Sequence, residues 1–313
     1  MRHVYKSPDP RGPRPRDTLI ELRAGGARVS IDVERGGRLG SLSIDGRELL
    51  TGPPDAEDRS IRWGWYLMAP WAGRLAGGQL EWAGRTVQLP RTHGRHAIHG
   101  LLWNRPWVVE SSGGGAATLA CDLPPETWLP GGRVRQSVRL EPHRLAVDAE
   151  ITAGDGAALA PMPAALGWHP WFVGGAEVRV RVDADATLAT RGMLPTGRLE
   201  PVAGRTDLRS GPALGRRRLD HAYVDARSPV EIQWPDFRLS IAFEPSPATV
   251  VVHSPPGRIC VEPQTAWPNA LGGPGDSGRP TAGRRAGAGL AGRPRLLAPG
   301  ERLTASMALT WES

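Results

Sequence analysis

The chain has 313 residues, of which 40% are hydrophobic, and its mean hydropathy is −0.33. These values are typical of a globular protein and exclude a chain that is disordered throughout. No apolar run reaches the roughly 20 residues of a membrane-spanning helix, and residues 1–17 lack the apolar stretch of a secretory signal. We therefore expect a cytoplasmic protein that has no membrane partner.

The formal net charge of +7 raises the question of nucleic-acid binding. Lys6 is the only lysine, so nearly all of the positive charge is arginine, and these arginines are scattered among acidic residues. The tight arginine clusters at 216–218 and 284–285 are short. Because this pattern lacks the continuous basic stripe that follows a phosphate backbone, we expect no nucleic-acid partner.

The first predicted elements follow a proline-rich start. Residues 1–17 contain four prolines and predict a flexible arm. A two-residue period then places Val29, Ile31 and Val33 on one face of a strand. Asp45-Gly46 is a strong turn signal, and 83–84 (AG) resembles a hairpin turn. The same alternation predicts further strands at 39–44, 79–89, 134–140, 145–151, 178–182, 237–243, 249–253 and 303–311.

The frequent glycines and prolines favour strands throughout the chain. No window carries a sustained helical stripe without Gly or Pro, whereas 40 glycines and 31 prolines interrupt the chain at short intervals. Many short strands joined by turns require this pattern. A fixed-period repeat of the propeller or solenoid kind is not visible in the sequence. We predict an all-β fold, with a large sandwich favoured over a barrel or propeller.

The composition of the chain also predicts its division into an arm, a domain and a loop. Residues 272–294 are rich in Gly, Arg, Pro and Ala and contain almost no large apolar side chain, which predicts a mobile surface loop. The expected organisation is a flexible arm at 1–17 and a single β-sandwich catalytic domain at 18–313 that contains this loop. Cys121 and Cys260 form neither a CxxC unit nor a disulfide framework, and Cys260 lies in an apolar run typical of a buried thiol.

Five neighbourhoods carry the residue types from which a polar site can be built. They are 68–74 (MAPWAGR), 96–101 (HAIHGL), 167–172 (GWHPWF), 219–223 (LDHAY) and 261–265 (VEPQT). Together with 36–42 (GGRLGSL) and 45–49 (DGREL), and in this order along the chain, they resemble the aldose 1-epimerase (galactose mutarotase) family. The resemblance extends from about residue 27 to 312, apart from the 272–294 insert.

The resemblance implies a fold, a reaction and a set of site residues. The fold is a large twisted β-sandwich, the galactose mutarotase-like supersandwich, with a shallow sugar cleft and with no metal or organic cofactor. Glu262 matches the position of the catalytic base and His169 that of the acid. Further positions match sugar-binding residues or lie beside them in the same motifs: Arg74, His99, Asp220, Gln264 and Trp171.

The implied chemistry suits these residue types. The implied reaction is the interconversion of the α and β anomers of a free aldose. It opens a hemiacetal and closes it on the other face, so a base must take the C1 hydroxyl proton while an acid protonates the ring oxygen. A carboxylate and an imidazole can both give and take protons near neutral pH. The sequence also departs from the family pattern, with Gly73 in place of a frequent Asn and Leu101 in place of a second Gly. These departures concern the choice of sugar more than the acid–base pair.

Alternatives stay open at several positions. His99 could satisfy backbone carbonyls, Arg74 could pair with an acidic neighbour, and Asp220 could cap a turn. The spacing of His96 and His99 could suggest a metal, but no third ligand at a fitting spacing accompanies them. At the level of the whole protein, a hexose-6-phosphate 1-epimerase would need basic residues at the cleft rim, and a non-catalytic sugar-binding protein would not need the acid–base pair. The sequence leaves monomer and homodimer equally open.

Overall fold

The computed structural model describes residues 18–53, 60–272 and 292–312. The predicted arm at 1–17 lies outside the described residues, and so does most of the predicted loop, at 273–291. The division of the chain into an arm and one catalytic domain therefore stays a prediction. Within the described ranges, no helix has the length and apolar character that crossing a membrane requires.

The described residues fold almost entirely as strands, with short helical turns at Ala76–Gly78, Asp155–Ala158 and Gly204–Thr206. In chain order the strands are β1 (Leu19–Ala24), β2 (Ala27–Asp32), β3 (Arg38–Ile44), β4 (Arg47–Glu48), β5 (Trp65–Met68), β6 (Arg74–Leu75), β7 (Gln79–Trp82), β8 (Arg85–Gln88), β9 (Ala97–Ile98), β10 (Val108–Gly113), β11 (Ala116–Asp122), β12 (Gly132–Glu141), β13 (Arg144–Ala153), β14 (Met162–Ala164), β15 (Gly167–Val173), β16 (Arg179–Asp183), β17 (Ala186–Arg191), β18 (Leu194–Pro201), β19 (Asp220–Trp234), β20 (Phe237–Glu244), β21 (Ala248–His253), β22 (Arg258–Gln264), β23 (Arg295–Leu297) and β24 (Arg302–Trp311).

Two antiparallel layers share one long strand. The first layer runs β1–β2–β3–β5–β15–β22–β21–β19–β17–β18. The second runs β10–β11–β12–β13–β24–β20–β19–β16. The first half of β19 pairs in one layer and its second half in the other, so this 15-residue strand joins them. The prediction of a large all-β sandwich is confirmed.

One strand period and two turns that were predicted from the local sequence are present in the structure. Val29, Ile31 and Val33 are all buried, in line with the predicted two-residue period. Asp45 and Gly46 have φ of 49° and 81° in the turn between β3 and β4, and Ala83 and Gly84 have φ of 51° and 71° between β7 and β8. Positive φ at both central residues matches the right-handed twist of the flanking strands.

A continuous apolar core lies between the layers and includes residues of both. β1 and β2 of the first layer contact β11 and β12 of the second. Cys121 and Cys260 are free and both are buried, and the burial of Cys260 was predicted from its apolar run. The outward face of the first layer around β15 and β22 is not covered by the second layer, and it carries the polar residues described next.

Candidate active site

Strand β15 lies at the centre of the site because it pairs with β5 on one side and with β22 on the other. Residues directly opposite each other on antiparallel strands point to the same face of the sheet. Gly167 lies opposite Gln264 and Trp171 lies opposite Cys260, so the same register places His169 opposite Glu262. Two motifs almost a hundred residues apart are thereby joined into one surface.

The register extends this surface across two more strands. Cys260 lies opposite His253 on β21, and His253 lies opposite Asp220 on β19. On the other side of β15, Tyr66 of β5 lies opposite His169. Asp220 therefore begins a strand, at the end of a cross-strand row that reaches Trp171 through His253 and Cys260.

The remaining two motifs form a loop wall beside the sheet. Arg74 of β6 lies opposite Ile98 of β9, and the His99 amide donates a 3.0 Å hydrogen bond to the Gly73 carbonyl. His99 and Gly100 both have positive φ, of 57° and 79°. A Cβ atom on Gly100 would lie 1.9 Å from the Ala69 carbonyl oxygen, so only glycine fits after His99.

Gly73, the departure from the family pattern beside Arg74, has a local physical reason. Its φ is +70°, and a Cβ atom there would lie 2.7 Å from Cβ of Pro268. A side chain at this position would therefore need Pro268 to move. The chain that follows β22 thus packs directly against the residue that precedes Arg74.

All seven predicted site residues line one cleft of about 520 Å³. They are Arg74, His99, His169, Trp171, Asp220, Glu262 and Gln264. The volume lies within the range typical of small-molecule sites. The structure thus brings all seven of these residues together. His96 lies outside the lining and accepts a hydrogen bond from the Gly77 amide at 3.2 Å. Their individual roles stay predictions.

Two of the predicted site residues, His169 and Glu262, are in direct polar contact in the cleft. Nε2 of the imidazole lies 3.3 Å from Oε1 of the carboxyl, and both side chains are at most 5% exposed. Burial raises the pKa of Glu262 well above its ordinary value, and the nearby Asp220 charge raises it further. Burial lowers the pKa of His169 well below its ordinary value, with smaller effects of His99 and His253. Both shifts favour the uncharged forms, carboxylic acid and neutral imidazole.

Aromatic side chains fix the orientation of the His169 ring. Trp171 stacks on it with ring centroids 4.9 Å apart and an interplanar angle of 16°, and Tyr66 stacks at 5.1 Å and 27°. His99 meets the ring edge-on at 4.9 Å. Trp171 is itself held by a 2.6 Å hydrogen bond from Nε1 to the Ile61 carbonyl. Locked rings of this kind keep a proton-transfer group in a productive geometry.

Two polar side chains near the His169–Glu262 pair have hydrogen-bonding atoms that a ligand could use. The Gln264 amide donates to Oε2 of Glu262 at 3.4 Å. Among the described residues, neither Oε1 of Gln264 nor Nδ1 of His99 has a hydrogen-bond partner, although both are buried. Burial, followed by the Arg74 charge, lowers the pKa of His99 to about 3, so its imidazole is neutral at physiological pH. Buried polar atoms normally find partners, and hydroxyl groups can supply them here.

Several lining residues were not identified from the sequence. His253 lies 3.8 Å from Asp220, between Nδ1 and Oδ2, and meets Trp171 edge-on at 5.7 Å. Arg62 and Arg258 line the cleft beyond Trp171, and Tyr66 supports His169 from β5. The two-residue alternation of β21 and β22 puts His253 and Glu262 on one face, which is the signal that could have revealed His253.

One group of side chains has the spacing of metal ligands. His169, Cys260 and Glu262 offer ligand atoms that all lie within 4.8 Å of one another. Burial raises the pKa of the Cys260 thiol, and the adjacent Glu262 adds to this effect. Because thiolate and carboxylate are the forms that bind metals, raised pKa values at both groups oppose binding there. That the site works without a metal stays a prediction.

The chain is similar to known proteins in both sequence and architecture. The uncharacterised protein YphB of Escherichia coli strain K12 is 25% identical over 261 residues, which are 79% of this chain and 83% of that protein. A galactose mutarotase-like protein from Clostridium acetobutylicum aligns with a TM-score of 0.77 and 17% identity, over 94% of this chain and 95% of that one. Galactose 1-epimerase from Lactobacillus acidophilus NCFM aligns with a TM-score of 0.74 and 19% identity, over 96% and 97%.

The two structural similarities establish the galactose mutarotase-like fold, which confirms the predicted architecture. Sequence evidence for the family is independent of them. The family model of aldose 1-epimerases matches residues 18–310, which is nearly the whole chain. The matched region includes the strands of the cross-strand surface (β5, β15, β19, β21 and β22) and the loop wall beside them. The chain therefore belongs to the aldose 1-epimerase family.

Proposed function

We propose that this protein is an aldose 1-epimerase that interconverts the α and β anomers of a sugar by acid–base ring opening and closure. Glu262 takes the proton from the C1 hydroxyl while His169 protonates the ring oxygen. Rotation about the C1–C2 bond then presents the other face of the carbonyl. The two groups reverse their roles when the ring closes, so the enzyme returns to its starting state.

The observation that carries this proposal is the buried contact between His169 and Glu262 at the floor of the cleft. The pair needs to hold one proton, either as imidazolium with carboxylate or as imidazole with carboxylic acid. Because burial raises the pKa of Glu262 and lowers the pKa of His169, it favours the second arrangement relative to its population in water. A carboxyl group and an imidazole in contact can each give and take a proton, which a reversible reaction requires.

The other cleft residues suit the binding of a polyhydroxylated ring. Arg74 and Gln264 can donate to hydroxyl or ring oxygens, and Asp220 can accept from hydroxyl groups. Neutral His99 can do either. The buried atoms Oε1 of Gln264 and Nδ1 of His99 have no protein partner among the described residues, and bound hydroxyl groups would satisfy them. Trp171 offers an apolar ring to the C–H side of a pyranose.

The test is saturation-exchange NMR of α/β interconversion with glucose, galactose and other aldoses, with and without the protein. His169→Asn and Glu262→Gln are compared with His143→Asn and Glu126→Gln, which alter exposed residues away from the cleft. We expect the wild type and both controls to accelerate exchange and both site variants to lose the acceleration. If a folded wild-type protein binds sugars by calorimetry without accelerating the exchange of any of them, a non-catalytic sugar-binding function replaces the proposal.

A further inference from the structure

One end of the cleft carries two arginines that the reaction at C1 does not use. Nη1 of Arg258 donates a 2.9 Å hydrogen bond to the Arg62 carbonyl, which joins the two residues at the rim. The guanidinium of Arg258 lies over the Trp171 ring, with its carbon 5.6 Å from the centroid. Trp171 stacks on His169 through a centroid distance of 4.9 Å. One indole ring therefore separates the guanidinium from the acid–base pair.

Several arginines elsewhere on the surface are paired with carboxylates, whereas these two cations are not paired with one among the described residues. Arg135 lies 2.6 Å from Glu110, and Arg227 lies 2.8 Å from Asp183. Within residues 18–53, 60–272 and 292–312, neither Arg62 nor Arg258 has a carboxylate oxygen within 4.0 Å. An arginine fixed over an aromatic ring without a carboxylate partner is prepared to bind an external anion.

The charge balance of the cleft points the same way. Its lining contains three arginines, Arg62, Arg74 and Arg258, against the carboxyls of Asp220 and Glu262. Burial, followed by the charges of Arg74 and Arg62, lowers the pKa of His93, which also lines the cleft. A cleft lined by an excess of one sign of charge concentrates ligands of the opposite sign.

We propose that the substrate is an aldose that carries an anionic group at the end remote from C1, and that Arg62 and Arg258 bind this group. The inference rests on the mutarotase function proposed above. C1 lies at the His169–Glu262 pair, and the substituent of the exocyclic carbon reaches past Trp171 to the rim. Guanidinium groups bind phosphate and carboxylate through paired N–H donors, so phosphate esters and uronates share the required chemistry.

The test measures kcat/KM for anomer exchange with glucose, glucose 6-phosphate and glucuronate, using the wild type, Arg62→Gln and Arg258→Gln. Arg238→Gln is the matched control, because Arg238 is an exposed strand arginine that does not line the cleft. We expect the wild type to favour at least one anionic sugar over glucose by 10-fold or more. Each cleft variant should lower kcat/KM for that sugar by about 10- to 100-fold, chiefly through KM, and should affect glucose several-fold less.

The outcomes separate the two proposals. Preference for glucose 6-phosphate alone identifies a phosphate ester, and preference for glucuronate alone identifies a carboxylate. Exchange of glucose that depends on His169 and Glu262, combined with no preference for either anionic sugar, overturns the anionic substrate and leaves the mutarotase function standing. Equal losses for glucose and the anionic sugar in Arg62→Gln and Arg258→Gln also overturn it. Failure to accelerate any sugar overturns both proposals.

Discussion

His169 and Glu262 lie 93 positions apart in the sequence, and Nε2 of one is 3.3 Å from Oε1 of the other. The contact exists because β15 and β22 are neighbours in a register that places these two residues opposite each other. Both side chains are at most 5% exposed, so the contact is shielded from water. The proposed function requires the two groups to act as one unit, which can be tested by removing them singly and together.

Removing either member of the pair should cost nearly as much as removing both. We expect His169→Asn and Glu262→Gln each to lower kcat by about 10²- to 10⁴-fold, the range typical of general acid–base groups. The double variant should lose little more than the worse single variant, because neither proton-transfer step is productive without the other. Exchange NMR on all three variants checks this, and fully multiplicative losses would contradict the assignment of one coupled pair.

Asp220 should set the alkaline limb of the pH profile. Its charge raises the pKa of Glu262, so Asp220→Asn should lower that pKa and make the last proton of the pair leave at lower pH. The alkaline limb of kcat/KM therefore moves to lower pH. The charge of Asp220 also raises the pKa of His253, so the same substitution should lower the titration midpoint of His253 in NMR spectra.

Asp148→Asn is the control for this experiment, because Asp148 is exposed on β13 and lies outside the cleft. It should leave both the alkaline limb and the His253 midpoint in place. A limb that stays where it is in Asp220→Asn, with folding and sugar binding intact, would show that Asp220 does not act on Glu262.

His99 should make the protein less stable in acid. Its pKa is lowered to about 3, chiefly by burial, whereas an unfolded histidine titrates near 6.5. Between these values the unfolded chain binds the additional proton, so the stabilising contribution is complete above pH 6.5 and is lost as the pH falls toward 3. The slope attributable to this residue approaches about 1.4 kcal/mol per pH unit.

Urea unfolding of the wild type and His99→Gln between pH 7 and pH 4 measures this slope. We expect the free energy of unfolding to fall less steeply with decreasing pH in the variant. His143→Gln, at an exposed turn between β12 and β13, should retain the wild-type slope. Identical slopes for the wild type and His99→Gln would rule out His99 as a source of acid sensitivity.

Arg38 should be a major determinant of stability near the site. Its side chain is 1% exposed and donates to four backbone carbonyls, those of Arg35, Ser60, Trp63 and Trp103. Its guanidinium carbon lies 5.0 Å from the centroid of Tyr66, which stacks on His169.

Lysine keeps the charge of Arg38 but cannot reproduce the planar set of five donors. We expect Arg38→Lys to lower the free energy of unfolding by about 3 kcal/mol or more, as buried carbonyls lose their donors. Arg28→Lys, at an exposed position of β2, is the control and should change stability by less than about 0.5 kcal/mol. Chemical denaturation measures both, and similar small losses would contradict the structural role of Arg38.

Gly100 should be intolerant of any side chain. A Cβ atom at this position would lie 1.9 Å from the Ala69 carbonyl oxygen, and the backbone there has φ of +79°. Gly94 is a matched comparison, since its φ is +60° and a Cβ atom would meet nothing within 4 Å.

Gly94→Ala should cost about 1 to 2 kcal/mol from its conformation alone. Gly100→Ala should cost clearly more, and it should also lower kcat/KM because the adjacent His99 moves. Thermal unfolding combined with exchange NMR separates the two effects. Equal stabilities of the two variants would show that the loop wall can move away without loss.

The sequence by itself determined the fold class and pointed to seven of the residues that line the cleft. Alternation at Val29, Ile31 and Val33, together with the Asp45-Gly46 turn, follows from local backbone chemistry that acts over a few residues. The seven site residues were predicted because their motifs, in this order along the chain, resemble the aldose 1-epimerase family, and such a resemblance can be recognised without the positions of the residues in space.

Only the tertiary structure decided how these residues meet and which others join them. The alignment of His169 with Glu262 depends on strand register, which is set by packing over the whole sheet and not by either motif. Arg258 lies at the rim because it is the terminal residue of β22, beyond the position that lies opposite Trp171. Tyr66 contacts His169 because β5 pairs with β15. The pKa shifts of His169 and Glu262 also depend on the tertiary structure, because the neighbours that bury these residues are distant along the chain.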